Sequence, residues 1–186
     1  MGELEKLGAI VTVTGDHGMS DKFHDDGTPN VLFVEDYIRS QWPETKPRVI
    51  CPIADPFVKH HGAMGGFVRV HLLGERKTDI DGMLEQIRKL PQVEVAMTGE
   101  EAAALFEMPL DREGDMVVIA KQSAALGARA DEHDLSQLGG HRLRSHGGLS
   151  EQGVPLIRSA VVKDADCLGK DRQWRNFDAF DLALNY

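Results

Sequence analysis

The sequence predicts an α/β protein that contains an α+β insertion, and two observations support this prediction. Residues 8–14 read GAIVTVT and are apolar or β-branched at both odd and even positions. That pattern is typical of a strand covered on both faces of a parallel sheet. Between about residues 46 and 120 the patterns follow the order strand, strand, helix, strand, helix, strand. This order predicts an α+β unit, for which a ferredoxin-like arrangement is one candidate.

Two elements are predicted before that unit, and two strands begin it. Residues 31–34 (VLFV) favour a short strand, and the helix that follows is expected to stop at Pro43, because a proline disfavours helix in the residue before it. Residues 48–53 predict a strand, which Pro52 places toward a sheet edge. Residues 65–73 alternate more clearly and predict a second strand.

The strongest helix pattern covers residues 78–91, where an apolar stripe recurs at helical spacing and Pro91 ends it. Thr78 or Asp79 can cap its start. After a strand at 93–97, Thr98 and Glu101 have capping-box spacing and predict a second helix.

The remainder of the chain predicts two strands and a terminal helix around a polar region. Residues 115–120 predict the last strand of the α+β unit, and residues 121–153 are polar and rich in glycine. Residues 154–162 again resemble a strand, and residues 176–186 predict a short amphipathic helix.

Composition limits the classes of function. The chain has 186 residues and a formal net charge of −9, which argues against nucleic acid or an anionic membrane as the main partner. Its two cysteines, Cys51 and Cys167, lack CxxC spacing, so a disulfide framework is not expected. A chain without disulfides is expected in the reducing cytoplasm. No run reaches the roughly 18 apolar residues of a membrane span, and the acidic start does not resemble a signal peptide.

The segment VTVTGDHGMS places two metal-ligand types where the first strand ends. Asp16 and His17 lie between Gly15 and Gly18, and ligands in open α/β sheets bind beyond the carboxyl ends of strands. A carboxylate and an imidazole suit Zn²⁺, although they also admit Mn²⁺ or Fe. Both side chains can reach one ion only if the backbone turns, which glycines permit. Taken alone, the dipeptide favours a polar turn with a surface histidine.

His146 lies in SHGGLSEQG, again beside glycines and just before a predicted strand. Together with Asp16 and His17 it supplies a third candidate ligand. Four further histidines favour structural roles: His24 in a turn, His133 in a hydrogen-bonded pair with Asp134, and His60 and His61 with at most one facing any site. Thr12 and Thr14 have no evident base nearby in the sequence.

Several segments resemble a known family. TGDHGM resembles the Asp-His-Gly-Met segment of the alkaline phosphatase superfamily, in its nucleotide pyrophosphatase/phosphodiesterase-like branch. Four further segments are similar to the phosphonoacetate hydrolase family: DGTPNVLFVEDYI, PIADPFVKHHGAMGGF, SHGGLSEQGVPL and RNFDAFDLALN. The resemblance runs almost from end to end of this chain and corresponds to the C-terminal portion of the family.

The resemblance implies a dinuclear zinc hydrolase that cleaves the carbon–phosphorus bond of phosphonoacetate to acetate and phosphate. It implies that Asp16 and His17 bind one zinc and His146 the other, so that ligation by this chain is partial. Residues 1–30 and 141–186 would then be pieces of a metal-binding α/β core, and residues 31–140 an inserted α+β cap. The expected partner is a small phosphonate. Whether the chain forms a homo-oligomer is left open.

The resemblance also implies that the nucleophilic threonine and the remaining ligands lie in a part of the family that precedes this chain. No catalytic residue is therefore expected here, and the isolated chain is expected to be inactive. Two alternatives are a non-catalytic, cap-like or metal-binding module and a related phosphodiesterase of the same superfamily.

Overall fold

The computed structural model describes residues 2–52, 64–74, 79–162, 169 and 172–186. The described chain divides into two units: residues 1–18 with 153–186 form the first, and residues 19–152 form the second. These bounds differ from the predicted ones, which place an inserted cap at residues 31–140. The division into a core and a cap stays a prediction.

The first unit is built on a two-stranded antiparallel ladder. Its elements are α1 (Gly2–Lys6), β1 (Thr12–Thr14), β10 (Leu156–Arg158) and α5 (Asp178–Asn185). Strands β1 and β10 pair with Val13 opposite Ile157. The predictions of a strand within 154–162 and of a terminal helix are confirmed.

The prediction for residues 8–14 is wrong in three respects. The strand covers only three residues and pairs antiparallel with β10, and Val13 keeps 41% of its surface exposed. The reason is that an apolar run specifies a strand, whereas the parallel or antiparallel sense and the covering of its faces depend on which distant segments pair with it.

The second unit contains the larger sheet. Its strands and helices are β2 (Ser20–Asp21), β3 (Val31–Phe33), α2 (Val34–Gln41), β4 (Pro47–Ile50), β5 (Phe67–Leu72), α3 (Ile80–Ile87), β6 (Val93–Thr98), α4 (Gly99–Phe106), β7 (Met116–Ala120), β8 (Ala125–Gly127) and β9 (Arg144–Ser145). Strands β4, β5, β7 and β6 lie in that order in one antiparallel sheet. A parallel pair, β3 with β8, and an antiparallel pair, β2 with β9, complete the ladders.

Both faces of this sheet are covered by helices. Side chains of α2 and α3 pack with Val68, Val70 and Val118 on one face. On the other face, Ala102 of α4 packs with Val117 and Ile119. Strand β7 is therefore buried throughout, because its alternate side chains enter two different cores. The α+β prediction is confirmed, and the two helices that it placed between strands lie on opposite faces.

Local signals set the ends of the helices. Asp79 caps α3 by accepting the Gly82 N–H at 2.9 Å. Thr98 and Glu101 form the predicted capping box of α4: Glu101 N–H donates to Thr98 Oγ1 at 3.2 Å, and Thr98 N–H donates to Glu101 Oε2 at 2.9 Å. Strand β4 is an edge strand, as Pro52 indicated.

Candidate metal centre

Asp16 and His17 follow β1 directly and form a compact turn. The His17 backbone N–H donates to Asp16 Oδ1 at 3.0 Å. His17 Nδ1 lies 2.8 Å from the carbonyl oxygen of Gly18. Because a carbonyl oxygen only accepts, Nδ1 carries the hydrogen of this bond, and a neutral ring then has its lone pair on Nε2.

The second oxygen of Asp16 and this Nε2 converge. Oδ2 lies 3.7 Å from Nε2, and the side chains keep 87% and 36% of their surface exposed, respectively. Neither flanking glycine adopts a positive φ, so the convergence does not need a left-handed backbone. The turn brings a carboxylate oxygen and an imidazole nitrogen to the same side.

The donor set fits a divalent metal ion. Two ligands bound to zinc at tetrahedral angles lie about 3.3 Å apart, which is close to the observed 3.7 Å. A metal-binding histidine commonly donates its other ring N–H to a backbone carbonyl, as His17 does to Gly18. The same distance also fits a loose ion pair when the ring is protonated.

His146 lies in the second unit, directly after β9. Its carbonyl oxygen accepts the Gly66 N–H at 2.7 Å, and the preceding Ser145 donates its hydroxyl to the Met64 carbonyl at 2.6 Å. The His146 side chain is half-buried. The structure therefore fixes the backbone of His146 through residues that come some 80 positions earlier in the chain.

The structure brings Asp16 and His17 together, while His146 belongs to the other unit. Among the described ranges, no group of three or more His, Cys, Asp or Glu side chains is arranged to hold a metal ion. The three-residue ligand set accordingly stays a prediction.

The other histidines differ in their surroundings. His133 is buried, accepts the Ala128 N–H on Nε2 at 3.0 Å and stacks on Phe33 with ring centroids 6.0 Å apart. His24 is exposed in a turn. His60 and His61 lie outside the described residues, as does Cys167.

Sequence reasoning missed a buried ion pair near His146. Lys22 Nζ lies 3.0 Å from Glu151 Oε1, and both side chains are almost fully buried. Glu151 follows Gly148 at the spacing of a helix cap, which was a usable signal. Lys22 offered no local signal, since its partner lies 129 positions away.

Comparisons with known proteins connect these observations to a family of enzymes. No protein-family model matches the chain. A phosphonoacetate hydrolase of Penicillium oxalicum is 66% identical over 41 residues, which are 21% of this chain and 57% of that sequence.

Two solved structures match almost the whole chain. Phosphonoacetate hydrolase from Sinorhizobium meliloti in complex with phosphonoformate gives a TM-score of 0.85 and 41% identity over 97% of this chain. The same enzyme in complex with phosphonoacetate gives a TM-score of 0.83 and 39% identity over 97% of this chain. The chain spans 42% of the length of each of these structures.

These findings confirm the resemblance seen in the sequence. By its fold, the chain is an α/β protein that is similar to a solved hydrolase. The particular relative is phosphonoacetate hydrolase, to which the chain is similar over nearly all of its own residues.

One further observation concerns membranes. None of the helices within the described ranges is long and apolar enough to cross a bilayer.

Proposed function

We propose that this chain carries part of the active site of a metal-dependent hydrolase that cleaves the carbon–phosphorus bond of phosphonoacetate to acetate and phosphate. The observation that carries the proposal is the 41% identity, over 97% of this chain, with a phosphonoacetate hydrolase solved with phosphonoformate. A cytoplasmic location and a small phosphonate as the main partner are parts of the same proposal.

In this proposal, Asp16 and His17 hold one zinc ion, and His146 contributes to a second. The Gly18 carbonyl supports this role because it holds the hydrogen on Nδ1, so that a neutral His17 ring presents a lone pair on Nε2. When bound, such ions stabilise the charge that develops on the oxygens of a transferring phosphoryl group.

Charge gives an independent reason to expect a metal. Phosphonoacetate is an anion, whereas this chain has a net charge of −9 and Asp16 adds a carboxylate at the candidate site. A bound divalent cation reverses the sign of the local field, so that an anion can approach. We therefore expect phosphonate binding to depend on metal.

We further propose that the 186-residue chain alone does not turn over its substrate. Among the residues matched to the family there is no nucleophile, and only Asp16, His17 and His146 are matched as ligands for two zinc ions. A catalytic zinc ordinarily has three protein ligands.

Phosphorus-31 NMR tests these points in one experiment. Phosphonoacetate is added to the purified chain with and without zinc, and zinc stoichiometry is measured by calorimetry. We expect the phosphonate signal to broaden only with zinc, and no inorganic phosphate to form. Phosphate formation would overturn the proposed inactivity, and equal broadening without zinc would overturn the metal dependence.

The same experiment separates the alternatives. A phosphodiester that displaces phosphonoacetate at equal concentration would favour a related phosphodiesterase. A chain that binds neither compound, with or without zinc, would favour a non-catalytic module.

A further inference from the structure

The ion pair between Lys22 and Glu151 is unusual in its burial. The two side chains keep 0% and 1% of their surface exposed, and the Lys22 ammonium also donates to the Gln122 carbonyl at 2.8 Å. Removing two charges from water costs energy that their attraction often fails to recover, so such a pair is weak evidence for stability. The hydrogen bonds of this pair point to a role other than stability.

Glu151 uses its second oxygen on the backbone that follows His146. Oε2 accepts the Gly148 N–H at 2.8 Å, while Oε1 accepts from Lys22 and from the Ser150 hydroxyl, the latter at 2.9 Å. Hydrogen bonds to an ionised acceptor are stronger than neutral ones, especially in a buried setting. One carboxylate thus joins Lys22 to the amide two residues beyond His146.

Burial alone would raise the pKa of Glu151. Hydrogen bonds from Ser20, Lys22 and Ser150 outweigh burial, and the pKa lies below its ordinary value. The carboxylate is therefore ionised near neutral pH, as a charged acceptor requires.

The segment Ser145–Gly148, termed here the His146 loop, is held on both sides of the histidine. Ser145 and the His146 carbonyl bond to Met64 and Gly66, respectively. Gly66 also approaches Gly148 so closely that a Cβ on Gly66 would lie 2.3 Å from the Gly148 nitrogen. On the far side of the histidine, Glu151 holds the loop by a side-chain hydrogen bond to the Gly148 N–H.

We propose that Glu151, held in place by Lys22, is a positioning residue that fixes the His146 loop and thereby the direction of the His146 ring. The inference deepens the proposed function, because the value of a fixed ring depends on His146 being a ligand. A ligand must be held within a few tenths of an ångström to bind a metal well. A buried acceptor on the next-but-one amide supplies that constraint.

Two double variants isolate this role from the burial of charge. Lys22→Met with Glu151→Gln removes both charges but keeps an amide oxygen that can accept from Gly148. Lys22→Met with Glu151→Leu removes both charges and the acceptor. The two variants share the same loss of the ion pair, so a difference between them reports on the Gly148 hydrogen bond.

Two NMR measurements compare them. The first is the hydrogen-exchange rate of the Gly148 amide. The second is the concentration of Co²⁺ at which the ring signal of His146 broadens, with Co²⁺ standing for zinc. We expect the glutamine variant to lie closer to the parent chain than the leucine variant in both measurements, because its amide oxygen still accepts from Gly148. In the leucine variant we expect exchange to be about tenfold faster and the broadening midpoint to rise by about tenfold.

The positioning role is overturned if the leucine variant matches the glutamine variant in the Gly148 exchange rate. If the leucine variant fails to fold, the parent chain still tests the inference. A Gly148 amide that exchanges in the parent chain as fast as an unprotected amide would contradict it. Absence of His146 broadening in the parent contradicts the ligand role of His146 in the proposed function, while the exchange comparison continues to test Glu151.

Discussion

The Oδ2 of Asp16 lies 3.7 Å from the Nε2 of His17, although the two residues are adjacent in the chain and follow a strand. Adjacent side chains of an extended strand point to opposite faces. The turn at Asp16 reverses that relation, since Asp16 Oδ1 accepts the His17 N–H and Nδ1 donates to the Gly18 carbonyl. The turn therefore points a carboxylate oxygen and an imidazole nitrogen of adjacent residues toward one another.

The first prediction follows from this arrangement. Replacing His17 by alanine is expected to weaken zinc binding to the chain by at least about tenfold, because it removes one of the two converging ligands. Isothermal titration calorimetry with zinc measures the change. His24→Ala is the matched control, since His24 is also exposed and lies in a turn. Equal affinities for the parent and the His17 variant would contradict the ligand role.

The second prediction concerns the close approach of Gly66 and Gly148. A Cβ at residue 66 would lie 2.3 Å from the Gly148 nitrogen and 2.6 Å from its Cα, and a backbone contact cannot yield as a flexible side chain can. We expect Gly66→Ala to destabilise the chain by roughly 1–3 kcal/mol, as overpacking of a well-packed site does.

Chemical denaturation measures this loss of unfolding free energy. Gly153→Ala is the control, because a Cβ there has nothing within 4 Å and the residue has no positive φ. That change is expected to be neutral or slightly stabilising. If Gly153→Ala lowers the unfolding free energy as much as Gly66→Ala does, the close approach of Gly66 and Gly148 does not explain the loss.

The sequence predicted those elements that carry their own signals. The helix α3 has an apolar stripe and Asp79 as its cap, and α4 has the Thr98 and Glu101 capping box. In contrast, β2, β8 and β9 cover two or three residues each. Such short strands exist only through partners distant in the chain, and no local pattern specifies them.

The same difference applies to the candidate site. Asp16 and His17 could be found from the sequence because their chemistry lies in one dipeptide. The pair of Lys22 and Glu151 could not, because 129 positions separate its members and charged residues are ordinarily expected on the surface. Local chemistry is visible in a sequence, whereas the contacts that hold it in place are mostly not.

The third prediction concerns the thiol of Cys51. Burial raises its pKa from 9.0 to about 11, an effect that Glu132 and Glu35 increase and a hydrogen bond with the Ala128 backbone opposes. Because the thiolate is the reactive form, we expect reaction with a disulfide reagent at pH 8 to be about 100-fold slower than in the unfolded chain.

The reaction is followed in a Cys167→Ser variant, so that only Cys51 reacts. Its rate in the native chain should continue to rise between pH 9 and 10.5, where an ordinary thiol levels off. The thiol of Cys51 ionises at a lower pH in the unfolded chain than in the folded one. Its ionisation therefore lowers the unfolding free energy as the pH rises above about 9. A native rate that levels off near pH 9 would contradict the raised pKa.

The last prediction concerns the cap of α4. Thr98→Ala removes the hydroxyl that accepts from Glu101 N–H, and we expect it to lower the unfolding free energy by about 1 kcal/mol. Hydrogen bonds from the Thr98 backbone and then its hydroxyl hold the pKa of Glu101 below its ordinary value of 4.5.

A lowered pKa in the folded state means that this carboxylate stabilises the fold above pH 4.5, and that its contribution is lost as pH falls through the folded value. Glu101→Gln should therefore be less stable than the parent at pH 7, with a difference that shrinks below pH 4.5. Denaturation at several pH values measures this. Glu100→Gln is the matched control, since Glu100 lies in the same first turn and makes no side-chain hydrogen bond with the residues that the structure describes. A pH-independent difference for Glu101→Gln would show that its charge has no part in the cap.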